Sequence, residues 1–97
     1  MNWEEVWKLL RNFRPELNRQ IWYRCSILDY EAGAVFRDYD YSLCYPDEEK
    51  VHLADMRREV GDVIAQTQML CCRMGWNYEE VENEGKKRVL EVIAGKR

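Results

Sequence analysis

The sequence predicts one all-α domain, built on a long antiparallel helical hairpin with two shorter helices. Three observations support this fold class. Apolar residues recur at intervals of three and four along two long stretches, strand-like alternation does not occur, and five glycines and two prolines rarely interrupt the stretches. The 97 residues suffice for a single domain. We therefore treat residues 1–97 as one helical domain.

The first half of the chain predicts a short helix followed by a long one. Asn2 and Glu5 have the spacing of a capping box, which predicts a helix from Trp3 to about Asn12. Pro15 suits the first turn of a helix, so a second helix is expected from Pro15 to about Tyr41. Its apolar positions are Leu17, Ile21, Cys25, Leu28, Ala32, Val35 and Tyr39. Their spacing predicts the stripe that faces the other long helix.

The segment SLCYPDEE separates the two long helices. Pro46 and the acids after it favour the start of a third helix, because negative charge stabilises a helix N-terminus. The apolar stripe of this helix comprises Leu53, Met56, Val60, Val63, Thr67, Leu70 and Met74. Gly75 predicts its end. Asn77 with Glu80 forms a second capping box, so a fourth helix is expected from about Tyr78 to Ala94.

Composition limits the partners and the location of the protein. Its 18 acids and 15 bases are interspersed and give a net charge of -3, which argues against binding to polymeric nucleic acid. No apolar run approaches the roughly 20 residues that cross a bilayer, and the N-terminal sequence lacks the pattern of a secretory signal. The four cysteines form no CxxC pair. We expect a cytoplasmic protein with no membrane partner, whose thiols are reduced and largely buried.

The apolar content predicts self-association. Hydrophobic residues make up 46% of the chain, and four tryptophans and six tyrosines are among them. A thin hairpin with two short helices cannot cover this much apolar surface by itself. We therefore expect a homo-oligomer, a dimer or a tetramer, in which several chains complete a four-helix bundle.

Acidic residues follow one flank of each predicted apolar stripe. Glu59 and Asp62 lie one turn apart on the third helix, and Glu31 and Asp38 lie on the matching flank of the second. With a turn near Tyr45, Glu31 and Glu59 are equally far from it along the chain. Carboxylates that converge repel one another unless a cation neutralises them, and hard oxygen ligands suit Mg²⁺ or Mn²⁺. The alternative is that they are ordinary solvated residues beside an apolar stripe.

Part of the sequence resembles a known family. The segment HLADMRREVGDVIAQTQMLCCRMGWNYEEV is similar to the second half of the MazG-like, all-α nucleoside triphosphate pyrophosphohydrolase domain. Those domains carry an ExxE motif on one long helix and an ExxD motif on the next. EVGD matches ExxD at Glu59 and Asp62, and LDYEAGAVF places Glu31 at the first glutamate of ExxE. The resemblance covers roughly residues 17 to 92, but Ala34 stands where the second glutamate would fall, and Ile27 replaces a common lysine.

The resemblance implies a reaction and a set of metal ligands. The family cleaves nucleoside triphosphates between the α- and β-phosphates, giving a monophosphate and pyrophosphate, with Mg²⁺ held by carboxylates. Carried over by position, the ligands here are Glu31, Glu59 and Asp62, and we add Asp38 as a substitute for the oxygen missing at Ala34. No catalytic residue beyond the metal ligands is assigned. Because of Ala34, two alternatives remain: a degenerate member that serves as a nucleotide-binding or oligomeric interaction module, and a helical interaction protein without a ligand.

Three further residues are candidates for contact with the nucleotide. Trp22 can stack on a base, or it can pack in the core or a subunit interface. Arg24 lies two turns before Glu31 and can contact phosphate or pair with an acid. Lys86 can close over a phosphate tail, or it can interact with the dipole of the fourth helix. The sequence leaves these alternatives open.

Overall fold

The computed structural model describes residues 1–95, and in this range the chain is helical with short connections and no strand. The elements are α1 (Trp3–Asn12), α2 (Pro15–Asn18), α3 (Ile21–Cys44), a 3₁₀ turn (Pro46–Glu48), α4 (Glu49–Met74) and α5 (Tyr78–Ile93). Helices α3 and α4 pack along each other as a long hairpin. The all-α prediction and the long hairpin are confirmed. The described chain has five α-helices rather than the predicted four, because α2 is separate from α3.

Local side-chain signals place several helix ends as predicted. The side chain of Asn2 accepts a hydrogen bond from the backbone N–H of Glu5 at 2.8 Å, and Asn77 does the same for Glu80 at 3.0 Å. These bonds satisfy N–H groups that would otherwise lack a partner at the start of α1 and α5. Gly75 ends α4 with φ 74, a left-handed conformation in which a β-carbon costs roughly 1–2 kcal/mol.

The prediction of one helix from Pro15 to about Tyr41 is correct at its start, but the structure interrupts this helix after Asn18 and extends it to Cys44. Helix α2 stops at Asn18, Gln20 is extended, and α3 continues to Cys44. The corner depends on Asn18, which is buried and donates a side-chain hydrogen bond to the carbonyl of Phe13. An asparagine side chain that bonds to nearby backbone offers the chain an alternative to a continuous helix. The apolar spacing runs through this corner unbroken, so periodicity could not reveal it.

The face through which α3 and α4 pack is more polar than predicted. The buried residues of α3 are Arg24, Ala34, Asp38 and Ser42. The exposed residues of the two predicted stripes are Ile21, Cys25, Ala32, Tyr39, Leu53 and Val60, and the rest are half-buried. On α3 the buried residues thus belong to the polar flank and not to the predicted stripe, whereas on α4 five of the seven stripe residues are half-buried, as Glu59 and Asp62 are. The predicted contact face is therefore wrong in its rotation on α3.

The thiols are less buried than expected. All four cysteines are free in the described chain, and Cys71 is the one that is buried. Cys72 is half-buried, whereas Cys25 and Cys44 are exposed. The exposure of Cys25 follows from the rotation of α3, since this residue belongs to the stripe that turns away from α4.

One chain leaves much apolar surface uncovered. Within residues 1–95 the buried apolar residues are Trp7, Ala34, Met69 and Cys71, and α5 has no buried residue. The accessible surface is 7529 Å², about 1,600 Å² more than a compact monomer of 11.8 kDa exposes on average. The radius of gyration, 16.2 Å, likewise exceeds the roughly 12.5 Å typical of this length. The exposed apolar surface, as we call it, consists of Ile21, Trp22, Tyr30, Phe36, Tyr39, Leu43, Val51, Leu53, Val60 and Ile64 on the hairpin and Val89, Leu90, Val92 and Ile93 on α5.

Residues 1–95 include no helix both long enough and apolar enough to span a bilayer.

Candidate metal centre

Three carboxylates meet between the two long helices. Glu59 and Asp62 are three residues apart on α4, a spacing that places both on one face of a helix. Glu31 reaches them from α3, and one oxygen of each side chain lies within 4.8 Å of the other two. All three residues are half-buried. The predicted convergence of these residues in the hairpin is present in the structure.

Mutual repulsion is relieved in part by a proton. The pKa of Glu31 is raised to about 7, first because its protonated form shares a hydrogen bond with Glu59. Partial burial and the negative charges of Glu59 and Asp62 raise the pKa further, and Arg37 opposes them weakly. The cluster therefore retains a proton close to neutral pH, and a cation that binds there must displace it.

One oxygen of the cluster has no hydrogen-bond partner. Oε2 of Glu59 is buried, and with all three acids ionised nothing in the part of the chain that the structure describes donates to it. Buried polar atoms are nearly always satisfied by protein, water or an ion, so this one needs explanation. Three carboxylates around one point form a donor set that suits Mg²⁺ or Mn²⁺, which prefer oxygen and tolerate several water ligands. The residues present thus fit a divalent cation.

Asp38 does not belong to this cluster. It lies two turns beyond Glu31, about 10 Å along the axis of α3, too far to share an ion with it. The expectation that Asp38 replaces the missing fourth ligand is therefore wrong. The alternative of a solvated residue is also wrong, because Asp38 is 7% exposed and its Oδ2 lacks a hydrogen-bond partner among residues 1–95. Between the two acids, Ala34 is 2% exposed and fills the interface with a methyl group.

Arg24 lies inside the hairpin rather than on its surface. It is 1% exposed, and its guanidinium donates to Oε1 of Gln66 and to Oδ1 of Asn18, each at 3.2 Å. Both partners are neutral, and burial lowers the pKa of Arg24. Neither expected role is observed: the side chain is too enclosed to contact a phosphate, and no carboxylate of residues 1–95 pairs with it. Sequence reasoning missed Gln66, which follows Asp62 by one turn and holds Arg24 in place.

Trp22 and Lys86 are not joined to the carboxylates. Trp22 is 62% exposed and touches the ring of Tyr23 edge-on at 5.6 Å. Lys86 lies on α5 and forms an ion pair with Glu82 at 3.3 Å. Because Trp22 is exposed, its expected position in the core is wrong. Stacking on a base and packing in a subunit interface remain as alternatives.

Comparison with protein-family models, with curated proteins and with solved structures found no match to this chain.

Proposed function

We propose that this protein is a Mg²⁺-dependent nucleoside triphosphate pyrophosphohydrolase, with Mn²⁺ as an alternative ion. The observation that carries the proposal is the meeting of Glu31, Glu59 and Asp62 around a buried, unpartnered carboxylate oxygen. A divalent cation accounts for that oxygen and for the repulsion between the acids. The reaction class rests on the resemblance of EVGD and its flanking helices to the MazG-like family.

The residues of the chain have simple roles in such a reaction. Glu31, Glu59 and Asp62 would hold the ion, and Glu31 would release its proton when the ion binds. A bound Mg²⁺ neutralises phosphate charge and lowers the pKa of a water ligand. Attack of water on the α-phosphorus forms one P–O bond and breaks the bond to the bridging oxygen, which leaves with pyrophosphate, while the proton of the water passes to bulk solvent. Trp22, 62% exposed, is available to stack on the base.

Ala34 favours a second candidate, a degenerate MazG-like module that binds nucleotide or mediates assembly. Position 34 is where the family carries a carboxylate, and here it is an enclosed methyl group with 2% exposure. An ion held by three ligands rather than four is positioned less rigidly, and small misplacement costs orders of magnitude in rate. We therefore expect the hydrolysis to be slow.

We also propose that the functional unit is a homo-oligomer, a dimer or a tetramer. The support is the exposed apolar surface and the excess of about 1,600 Å² over a compact monomer. That excess is about twice the roughly 800 Å² that each partner buries in a standard protein interface. A second copy of the chain is the occupant that the high apolar content favours.

Pyrophosphate release tests the enzymatic proposal. The natural protein is incubated with a panel of nucleoside triphosphates and either Mg²⁺ or Mn²⁺, and pyrophosphate is measured directly. Glu59→Gln and Asp62→Asn should each reduce the rate at least tenfold, whereas Asp29→Asn, an exposed acid on α3, should leave it unchanged. Metal-dependent nucleotide binding without pyrophosphate release would favour the degenerate module. No binding and no release would contradict both candidates.

A further inference from the structure

A second polar site lies at the end of α4 that is remote from the hairpin turn. An open pocket of about 530 Å³ is lined by Trp7 and Arg11 of α1, Arg19 after α2, and Cys72 and Arg73 of α4. Trp7 is buried and forms an apolar wall. Three arginines therefore line one open pocket, in a protein whose overall charge is negative.

Two of these arginines are held by hydrogen bonds to backbone carbonyls, and one of them also by an asparagine side chain. Arg19 donates from Nε to the carbonyl of Arg11 and from Nη2 to Oδ1 of Asn12, both at 2.8 Å. Arg73 donates from Nε to the carbonyl of Arg19. A guanidinium has five N–H donors, so most of them stay available on each residue. The side chain of Arg11 makes no hydrogen bond within residues 1–95. The tethers orient Arg19 and Arg73 without neutralising them.

Among residues 1–95 no ion pair neutralises the arginines of this pocket, although Glu4 lies near Cys72 and lines an adjoining pocket with Arg11. Within the described chain, no carboxylate lies at ion-pair distance from Arg11, Arg19 or Arg73. Arg58 and Arg88, by contrast, pair with neighbouring acids at 2.9 Å and 3.3 Å. Like charges that border one pocket repel one another, and a bound anion would relieve that repulsion.

Cys72 does not supply the missing negative charge. Burial, first, and the carboxylate of Glu4 raise the pKa of its thiol. The thiol is therefore neutral at physiological pH, and it acts as an apolar wall rather than as a nucleophile.

We propose that this pocket binds a small phosphate-bearing anion, with Arg11, Arg19 and Arg73 as its ligands. Arginine presents paired N–H groups that match the oxygens of phosphate, which makes it better suited to this role than lysine. Arg73 follows Asp62 by eleven residues, which places it about 16 Å further along α4. One phosphate group cannot reach both places. The pocket is thus separate from the carboxylate cluster and does not depend on the function proposed for it.

Titration of the full chain with inorganic pyrophosphate tests the proposal. Calorimetry is performed in EDTA, at constant ionic strength, so that the carboxylate cluster holds no cation. We expect saturable binding that weakens roughly tenfold in Arg11→Gln, because a charge-assisted hydrogen bond is lost. Arg73→Lys, which keeps the charge and loses the paired N–H groups, should weaken pyrophosphate binding by a smaller factor.

Two control variants make the result decisive. Arg58→Gln removes an arginine that is already paired with Asp55, and Glu59→Gln alters the carboxylate cluster. Both should bind pyrophosphate as the parent does. Arg11→Gln should keep its helical circular dichroism, since no side-chain hydrogen bond of residues 1–95 is lost. Absence of binding at millimolar pyrophosphate, or equal affinity in the parent and Arg11→Gln, would overturn the proposal.

Discussion

The two sides of the α3–α4 hairpin differ in a way that is unusual for paired helices. The inner side contains Arg24, Glu31, Asp38, Glu59 and Asp62. The outer side carries much of the exposed apolar surface. A helical pair that folded for itself alone would place these groups the other way round. This difference is what the proposed metal centre on the inner side and the proposed packing of the outer side against another chain would require.

The largest expected effect concerns the outer side. Val60 and Ile64 are neighbours on one face of α4 and are 41% and 46% exposed. A symmetric dimer buries two copies of each residue, one from each chain. Changing both residues to Asp should therefore weaken association by about 4 kcal/mol, roughly a thousandfold. Sedimentation should show an assembled parent and a dissociated variant.

Ala54→Asp is the matched control for the assembly experiment. It introduces the same charge on α4 at an exposed position without removing a large apolar side chain. The control should assemble as the parent does. A parent that sediments only as an 11.8 kDa species at micromolar concentration would contradict the proposed packing of the outer side against another chain.

The next effect concerns the inner side, at Ala34. The missing carboxylate of the family motif suggests Ala34→Glu as a repair, but this position is 2% exposed. An uncompensated charge there should lower the free energy of unfolding by about 3 kcal/mol in EDTA. If the new carboxylate joins Glu31, Glu59 and Asp62, saturating Mg²⁺ should restore most of that loss.

Ala34→Gln is the control for this experiment, because it has the same size and cannot ligate as an anion. Chemical denaturation with and without Mg²⁺ measures both variants. If Mg²⁺ raised the stability of Ala34→Glu and of Ala34→Gln by the same amount, position 34 would not contribute to the metal centre. It would also mean that the alignment of ExxE with EAGA does not describe this hairpin.

The sequence predicts some features of the molecule well because they depend on neighbouring residues. The starts of α1 and α5 and the end of α4 rest on Asn2, Asn77 and Gly75, each acting on backbone nearby. The corner before α3 escaped prediction because Asn18 contacts the side chain of Arg24, six residues further along the chain. Periodicity reveals that an apolar stripe exists, but it does not reveal which surface covers the stripe.

The same reasoning explains what was predictable at the candidate site. Glu31 and Glu59 are equidistant from the hairpin turn, so antiparallel packing brings them to the same height. That relation survives rotation of α3. The expected place of Asp38 in the cluster is not observed, because its distance from Glu31 along α3 separates it from the other acids. The basic pocket also escaped notice, since Arg11, Arg19 and Arg73 come from three separate segments.

The smallest expected effect is a dependence of stability on pH that Mg²⁺ weakens. The pKa of Glu31 is raised to about 7 in the folded protein, so between about pH 4.5 and 7 the folded state binds more protons than the unfolded state. The contribution of Glu31 to stability is therefore fully present at low pH and is lost as pH rises through 7. Mg²⁺ displaces the proton, so its stabilisation should grow over the same range, reaching about 1.4 kcal/mol at ten times its dissociation constant.

Glu59→Gln isolates this effect, since Glu59 supplies the largest influence on the pKa of Glu31. Denaturation is measured from pH 5 to pH 8 at one protomer concentration, in EDTA and in Mg²⁺, for the parent, Glu59→Gln and Asp29→Asn. Subtracting variant from parent cancels the other titrating groups. In EDTA the parent should lose stability relative to Glu59→Gln as pH rises, and in Mg²⁺ it should lose less, while Asp29→Asn follows the parent. Parallel curves for the parent and Glu59→Gln in both solutions would show that the three acids on the inner side neither share a proton nor hold an ion, and the inner side would then be polar without being a metal centre.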